Sequence, residues 1–433
     1  MAANKKVSIL LFTTFILLSL NSTIAFAFQE PETNYAEYKG EVLDESSKKP
    51  LIFATLAIEK SNISTVTNKE GEFSLKIPNS TESKNVIVSF LGYKTKIIPL
   101  NEFKKNKTKI YLAISVTELT EVNLSIPKNA EALVRETLKS KGENYFDDPT
   151  LMTAFYRETI KKRRKNVSLS EAVVNIYKTP YTSKRNDAVK LYKARKSTDY
   201  NKLDTVALKL QGGPFNALYI DIIKYPEYIF SEESLDNYLF SYDSSTRIND
   251  KLIYVINFKQ KPHVYSPLYK GKLFIDIENK ILTNATYKLN ITNKEAASRM
   301  FVRRKPKNAN VRPTEVAYRV DYREKNGKWY YGYSNVFLEF KIDWDKRLFN
   351  SVYSMTCEMA VTDWEKSTKE SLPKPKERIK SSIILSDAAV GFSDPDFWGE
   401  YNIIEPEKSI ESAIRKIKRQ LKRINVNEGT SRP

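Results

Sequence analysis

The chain has 433 residues, with 71 Lys and Arg against 52 Asp and Glu for a formal net charge of +19, and it carries one His and one Cys. A composition that is 41% hydrophobic and 28% charged belongs to a globular protein, not to a disordered chain or a bundle of membrane spans. One His and one Cys exclude a Cys/His zinc cluster and an internal disulfide, and they confine His-dependent catalysis to His263.

Residues 1–27 read as an address. Lys5 and Lys6 precede the apolar run Val7 to Leu20, and Ala25-Phe26-Ala27 places small residues at the −3 and −1 positions of a processing site. This is the three-part layout of a secretory signal peptide, so cleavage is expected after Ala27, with the mature protein exported to the periplasm or associated with the outer membrane. No cysteine follows the signal, which argues against a lipid-anchored start. No later stretch approaches the ~18 continuous apolar residues of a second span. Export also disfavours nucleic acid as a partner for the basic charge, and no basic–aromatic recognition module accompanies it.

After a polar lead-in over 28–37, residues 38–115 carry strand-length apolar runs punctuated by Asn, Gly and Pro. The runs are Gly40-Glu41-Val42-Leu43-Asp44, Pro50 to Ile58, Thr65 to Pro78 and Val86 to Thr95. Such spacing predicts hairpins in a sandwich. In Asn68-Lys69-Glu70-Gly71 the glycine can take the positive φ of a short reversal, after which Phe73, Leu75 and Ile77 alternate inward. These residues closely resemble the carboxypeptidase regulatory-like domain, a transthyretin-like β-sandwich, over about 75 residues. The resemblance implies a non-catalytic module, of the sort appended to peptidases, TonB-dependent receptors and other envelope proteins. A zinc carboxypeptidase needs several His and Glu ligands, so no such activity is expected here.

A linker over 116–150 is predicted to hold a helix from Ala130 to Gly142, with Gly142 able to end it. From 151 to 365 the pattern is long strands. Val316, Tyr318, Val320 and Tyr322 alternate with Ala317, Arg319 and Asp321, and Tyr353, Met355, Cys357, Met359 and Val361 alternate with polar neighbours. Period-2 patterning predicts an antiparallel sheet with a buried and a wetter face, and hairpins are expected at Asn279-Lys280 and Asn326-Gly327. The fold class expected is therefore mainly β, with a transthyretin-like sandwich, a large curled antiparallel sheet of half-barrel type, a linker helix and a terminal amphipathic helix. Gly271 to Ile291 resembles the repeating hairpin of periplasmic lipoprotein-carrier half-barrels. Ala154 to Glu158 and Glu171 to Val174 resemble segments of uncharacterised envelope proteins that pair the small module with such a region.

Little in the chain points to bond-breaking chemistry. His263 has no Gly-x-Ser-x-Gly elbow to serve and reads as a loop residue, while Cys357 reads as a buried, inert thiol. Phosphate-cradling and dinucleotide glycine patterns are missing, and no cofactor is expected. Asp394, Asp396 and Glu400 flank Phe397 and Trp398, a set that paired-carboxylate glycoside chemistry could use; the plainer reading is a loop docking Phe397 and Trp398 onto the sheet. Trp329, Tyr331 and Tyr333 are candidate ligand-lining aromatics, with cross-strand packing as the alternative. Arg157, Glu158 and Glu171 read as a solvated face, with a polar cluster inside the sheet as the alternative. Lys161 to Lys165 and Arg303-Arg304-Lys305 are basic runs that suit exposed turns.

The tail over 366–433 ends in a basic amphipathic pattern. Lys416, Arg419, Lys422 and Arg423 are candidates for contact with a membrane surface, unless the apolar stripe docks on the sheet. The expected function is a non-enzymatic envelope protein, a binding module or an accessory of an outer-membrane assembly, with a lipid, a glycan or an outer-membrane protein as partner. The alternatives are a carbohydrate-active hydrolase and a structural or adhesive surface protein.

Overall fold

The computed structural model describes residues 34–115, 117–118, 129–198, 209–243, 246–248, 251–345, 350–368, 373–391 and 397–407. The expected signal peptide and the terminal basic helix lie outside them.

Seven strands build the small unit: β1 (Tyr35–Asp44), β2 (Thr55–Ile58), β3 (Ser64–Val66), β4 (Glu72–Pro78), β5 (Asn85–Ser89), β6 (Lys96–Pro99) and β7 (Thr108–Leu112). They form two sheets, ordered β4-β1-β7 and β3-β2-β5-β6. β1 already starts at Tyr35, inside the stretch expected as a lead-in. Alternate residues of the two sheets, among them Val42, Leu56, Phe73, Leu75 and Val88, fill the core between them, as sandwich packing requires. The reversal before β4 depends on Gly71, which sits at φ 74. A Cβ there would come within 2.8 Å of the Val42 carbonyl oxygen. Asn68 Oδ1 completes the turn by accepting from the Glu70 and Glu72 amides, both at 2.9 Å.

The large unit is a 13-stranded sheet. Its strands are β8 (Thr117–Glu118), β9 (Thr150–Lys162), β10 (Lys165–Lys178), β11 (Ala188–Thr198), β12 (Tyr238–Tyr242), β13 (Thr246–Ile248), β14 (Lys251–Gln260), β15 (Tyr269–Asp276), β16 (Ile281–Leu289), β17 (Ala309–Lys325), β18 (Lys328–Trp344), β19 (Ser351–Lys366) and β20 (Val390–Gly391). The order is β20-β11-β10-β9-β19-β18-β17-β16-β15-β14-β13-β8, with β12 also paired to β14. Pairing is antiparallel except between β11 and β20, and the sheet does not close into a barrel. The β17–β18 hairpin turns on Asn326 at φ 52 and Gly327 at φ 75, the two positive values of a tight turn whose twist matches its strands.

The two faces of this sheet differ. One, the core face, carries Tyr156, Val174, Val336, Tyr353 and Met359, all buried. Helix α1 (Ala130–Lys139) packs Leu133 and Val134 into this core, with Asn129 capping its N-terminus by accepting from the Glu131 amide. A second layer comes from residues 209–238, including the one-turn helix α2 (Phe215–Leu218), which buries Phe215, Leu218, Ile222 and Phe230. This layer sits between β11 and β12, within the run of long strands expected from 151 to 365. Gly212 at φ 119 and Gly213 at φ 51 break the chain before Pro214, and the apolar residues that follow are spaced for helical turns rather than strands. The linker helix is likewise part of the core, and the core face is filled with side chains.

Candidate functional site

The other face carries the small unit. Alternation places Arg319 and Asp321 (β17), Tyr333 and Asn335 (β18), Glu358 and Ala360 (β19), Phe155 and Arg157 (β9) and Glu171 and Val173 (β10) in register on it. Phe53 from the sandwich stacks on Tyr333 with ring centroids 4.7 Å apart. The Arg319 guanidinium lies between the Phe53 and Phe90 rings, at 5.6 and 5.7 Å. Ser64 Oγ donates to the Val361 carbonyl at 3.2 Å and accepts from Arg323 at 2.6 Å.

Residues 397–407 cross this same face as a strap joined to both units. Trp398 meets Phe155 edge-on at 5.4 Å and lies under the Arg195 guanidinium at 4.7 Å. Asn402 pairs its side chain with the Lys76 backbone, accepting from the amide at 2.7 Å and donating to the carbonyl at 2.9 Å. Glu407 takes Lys69 of the sandwich at 3.2 Å and Lys161 of β9 at 3.3 Å.

Beneath the strap lies a buried charge cluster. Arg157 donates to Glu171 at 2.8 Å, to Glu358 at 3.3 Å and to the Ile404 carbonyl at 2.6 Å, while Arg195 donates to the other oxygen of Glu171 at 2.8 Å. Burial alone would raise the Glu171 carboxyl, but the Arg157 and Arg195 guanidiniums outweigh it and hold the group below its ordinary value. Glu358 has only Arg157 at such range, and burial keeps it above the ordinary value. This corrects the reading of Arg157 and Glu171 as a solvated face. Glu158 does not join them, because it points to the core face beside Tyr156, whose hydroxyl donates to it at 3.1 Å. Burial pushes Glu158 up to about 7 and the neighbouring Cys357 thiol up to about 12.

The part of this face one strand beyond Arg319 is open. A groove of about 860 Å³ runs over β12, β14, β15, β16 and β17, with Lys259, Lys270, Lys272 and Lys288 exposed along it and Asn257 and Thr286 between them. Lys272 pairs with Asp243 at 2.7 Å, and Lys288 pairs with Glu315. Among the described residues, Lys259 and Lys270 have no ion-pair partner. Gly271 pairs with Tyr287 in the floor, and a Cβ there would meet the Thr286 carbonyl oxygen at 2.2 Å, so only glycine lets the strands approach this closely. Two unpaired ammonium groups among hydrogen-bonding side chains suit an extended anionic ligand.

Tyr331 and Tyr333 are buried, at 0% and 1% exposure, and Trp329 is nearly so. This corrects their candidacy as ligand-lining residues. The Tyr331 hydroxyl bonds the Ala217 carbonyl at 3.3 Å within the core, and Tyr333 lies under Phe53. Asp394 and Asp396 lie outside the described residues, as do Lys416, Arg419, Lys422 and Arg423. Glu400 borders a notch of about 290 Å³ with Tyr35, Tyr192 and Tyr401, and the described lining holds that one carboxylate where glycoside chemistry uses two. His263 is exposed in the loop between β14 and β15. Among the described residues no three His, Cys, Asp or Glu side chains gather as a metal site. The groove was missed in the sequence because its lysines come from three strands, each occupying only the outward positions of an alternating pattern.

Residues 38–124 match the CarboxypepD_reg-like domain, so the sandwich is a module of that family. No curated protein matches the chain. Among solved structures, a lipovitellin described by its lipid–protein interactions aligns at 8% identity over 54% of this chain and 27% of its own, with a TM-score of 0.25. A DUF1329 family protein from Desulfovibrio piger aligns at 9% identity over 57% of this chain and 96% of its own, with a TM-score of 0.25. A protein of unknown function from Bacteroides fragilis, described as membrane-associated, aligns at 11% identity over 76% of this chain and 99% of its own, with a TM-score of 0.14. At scores this low none of the three bears on this chain's ligand.

Proposed function

We propose that the chain is an exported, non-enzymatic cell-envelope protein in which the sandwich and the large sheet form one scaffold, and the lysine-lined groove holds an anionic envelope component, a lipid headgroup or an acidic glycan. The observation that carries this reading is the contrast between the two faces of the sheet. The core face is packed against α1 and residues 209–238. The opposite face offers a groove with two unpaired ammonium groups. The leader-like start supports export, and the regulatory-like module suits an appendage that positions rather than reacts.

Native mass spectrometry of the protein purified from envelope extract tests the reading. A retained anionic lipid or glycan that is lost in Lys259→Glu/Lys270→Glu supports it. Bare protein that takes up neither class on titration overturns the ligand, and recovery from the cytosol with the leader attached overturns the location.

A further inference from the structure

Antiparallel strands send their connections alternately to the two ends of a sheet, so the charge of each end can be read separately. The end where β9, β14, β16 and β18 finish receives the two basic runs. Arg163 and Arg164 form the turn between β9 and β10, and Arg303 and Arg304 follow helix α3 (Lys294–Phe301) on the way to β17. All four are exposed, and none has an ion-pair partner among the described residues.

The two runs flank one strip of the sheet. Phe301 packs on Phe340 with ring centroids 6.1 Å apart, Phe340 pairs with Tyr353, and Tyr353 pairs with Lys162. Phe340 and Lys162 are thus two strand spacings apart, about 10 Å, with Phe301 one ring contact beyond Phe340. The adjoining loop between β14 and β15 is held by Gln260, which accepts from the Leu268 amide at 2.9 Å and donates to the Ser266 carbonyl at 3.0 Å. It presents Tyr265 at 86% exposure, and Met300 on α3 is 47% exposed.

The opposite end is mixed. There Lys366 sits on Asp148 at 2.9 Å, Lys251 on Glu324 at 2.8 Å and Lys280 on Glu136 at 3.1 Å, while Lys184 and Arg185 are exposed with no ion-pair partner among the described residues. The first rim thus gathers four exposed arginines without acid partners, where the other pairs three of its lysines with acids. Glu295 on α3 and the exposed Asp345 just after β18 are acids among these arginines, and Asp343 is already taken by Arg312 at 2.5 Å. We infer that this rim is a docking surface for an anionic lipid bilayer, with the four arginines at headgroup level and Tyr265 and Met300 entering the interface. A flat sheet of phosphates matches an arc of unpaired guanidiniums, and an amphipathic tyrosine at a loop tip is suited to the boundary between water and acyl chains. The inference stands on the rim alone and does not require an occupied groove.

Co-sedimentation of the full chain with phosphatidylcholine vesicles, with and without phosphatidylglycerol, tests it. Binding should need the anionic lipid and weaken as salt is raised. Arg163→Glu/Arg164→Glu/Arg303→Glu/Arg304→Glu should lower the apparent affinity by about tenfold or more, with the melting temperature unchanged because all four side chains are exposed. Tyr265→Trp should be quenched by brominated phosphatidylglycerol beyond the wild-type level. Equal binding to neutral vesicles, full binding by the rim variant, or an equal loss in the sandwich control Lys104→Glu/Lys105→Glu would each overturn the inference. So would a loss confined to Lys416→Glu/Arg419→Glu/Lys422→Glu/Arg423→Glu, which would assign the contact to the terminal segment.

Discussion

Arg157, in the middle of β9, donates a hydrogen bond of 2.6 Å to the backbone carbonyl of Ile404, which lies 247 residues further along the chain. The same guanidinium holds Glu171 and Glu358, so one side chain both neutralises the covered face and seats the strap. Arg157→Met should cost about 3–5 kcal/mol, because Glu358 is left without its closest cation and Glu171 keeps only Arg195. Arg157→Lys should rescue little of this, since one ammonium cannot reproduce the planar fork. Urea denaturation of the three proteins measures both.

Trp398→Ala removes the indole packed between Phe155 and Arg195. A loss of about 3–5 kcal/mol is expected for truncating a buried aromatic. The variant should also release the sandwich as a discrete fragment under limited proteolysis sooner than the wild type does.

Glu158 binds its proton more tightly in the folded chain, near pH 7, than its ordinary value of 4.5. Between those limits the folded state carries more protons than the unfolded state. Stability from this group is therefore full below about 4.5, falls as pH rises to about 7 and is flat beyond. Glu158→Gln should remove that slope, gaining about 3 kcal/mol over wild type at pH 8 and little at pH 4. Guanidinium melts of both proteins at the two pH values decide it.

Two ion pairs of like chemistry should behave differently. Lys178 is buried between Asp187 at 3.1 Å and Asp221 at 2.8 Å, so Lys178→Met strands two carboxylates and should cost about 3–5 kcal/mol. Lys366 faces Asp148 with both side chains largely in water, and Lys366→Met should leave the melting temperature where it is.

Much of the fold is legible in the sequence because its signals are local. Period-2 alternation marks β17 and β19 along their length, Asn326-Gly327 announces its own turn, and the Gly71 reversal identifies the sandwich. The plug over 209–238 is not legible in this way, since its apolar residues earn their helical form only by packing on a sheet assembled from distant strands. Arg157 and Glu171 misled for the same reason. A charged residue at an outward position predicts solvent unless something covers it, and here the cover is a sandwich before them in the chain and a strap more than two hundred residues after them. The aromatics Tyr331 and Tyr333 have partners supplied by Ala217 and Phe53, neither of which is a sequence neighbour.

The pairing of Asn402 with Lys76 spans 326 residues, which sets an order of assembly. The sandwich has all its own core residues as soon as β7 exists, yet the strap that joins it to the large sheet comes last in the chain. In chain order, Phe53 stays uncovered until Tyr333 of the large sheet exists, and Arg157 waits longer still for the Ile404 carbonyl. A chain cut short before Trp398 would thus keep the seats of Phe53 on Tyr333 and Ser64 on Val361 but lose the clasp that Asn402 and Glu407 close over them, leaving the Arg157 cluster open to water.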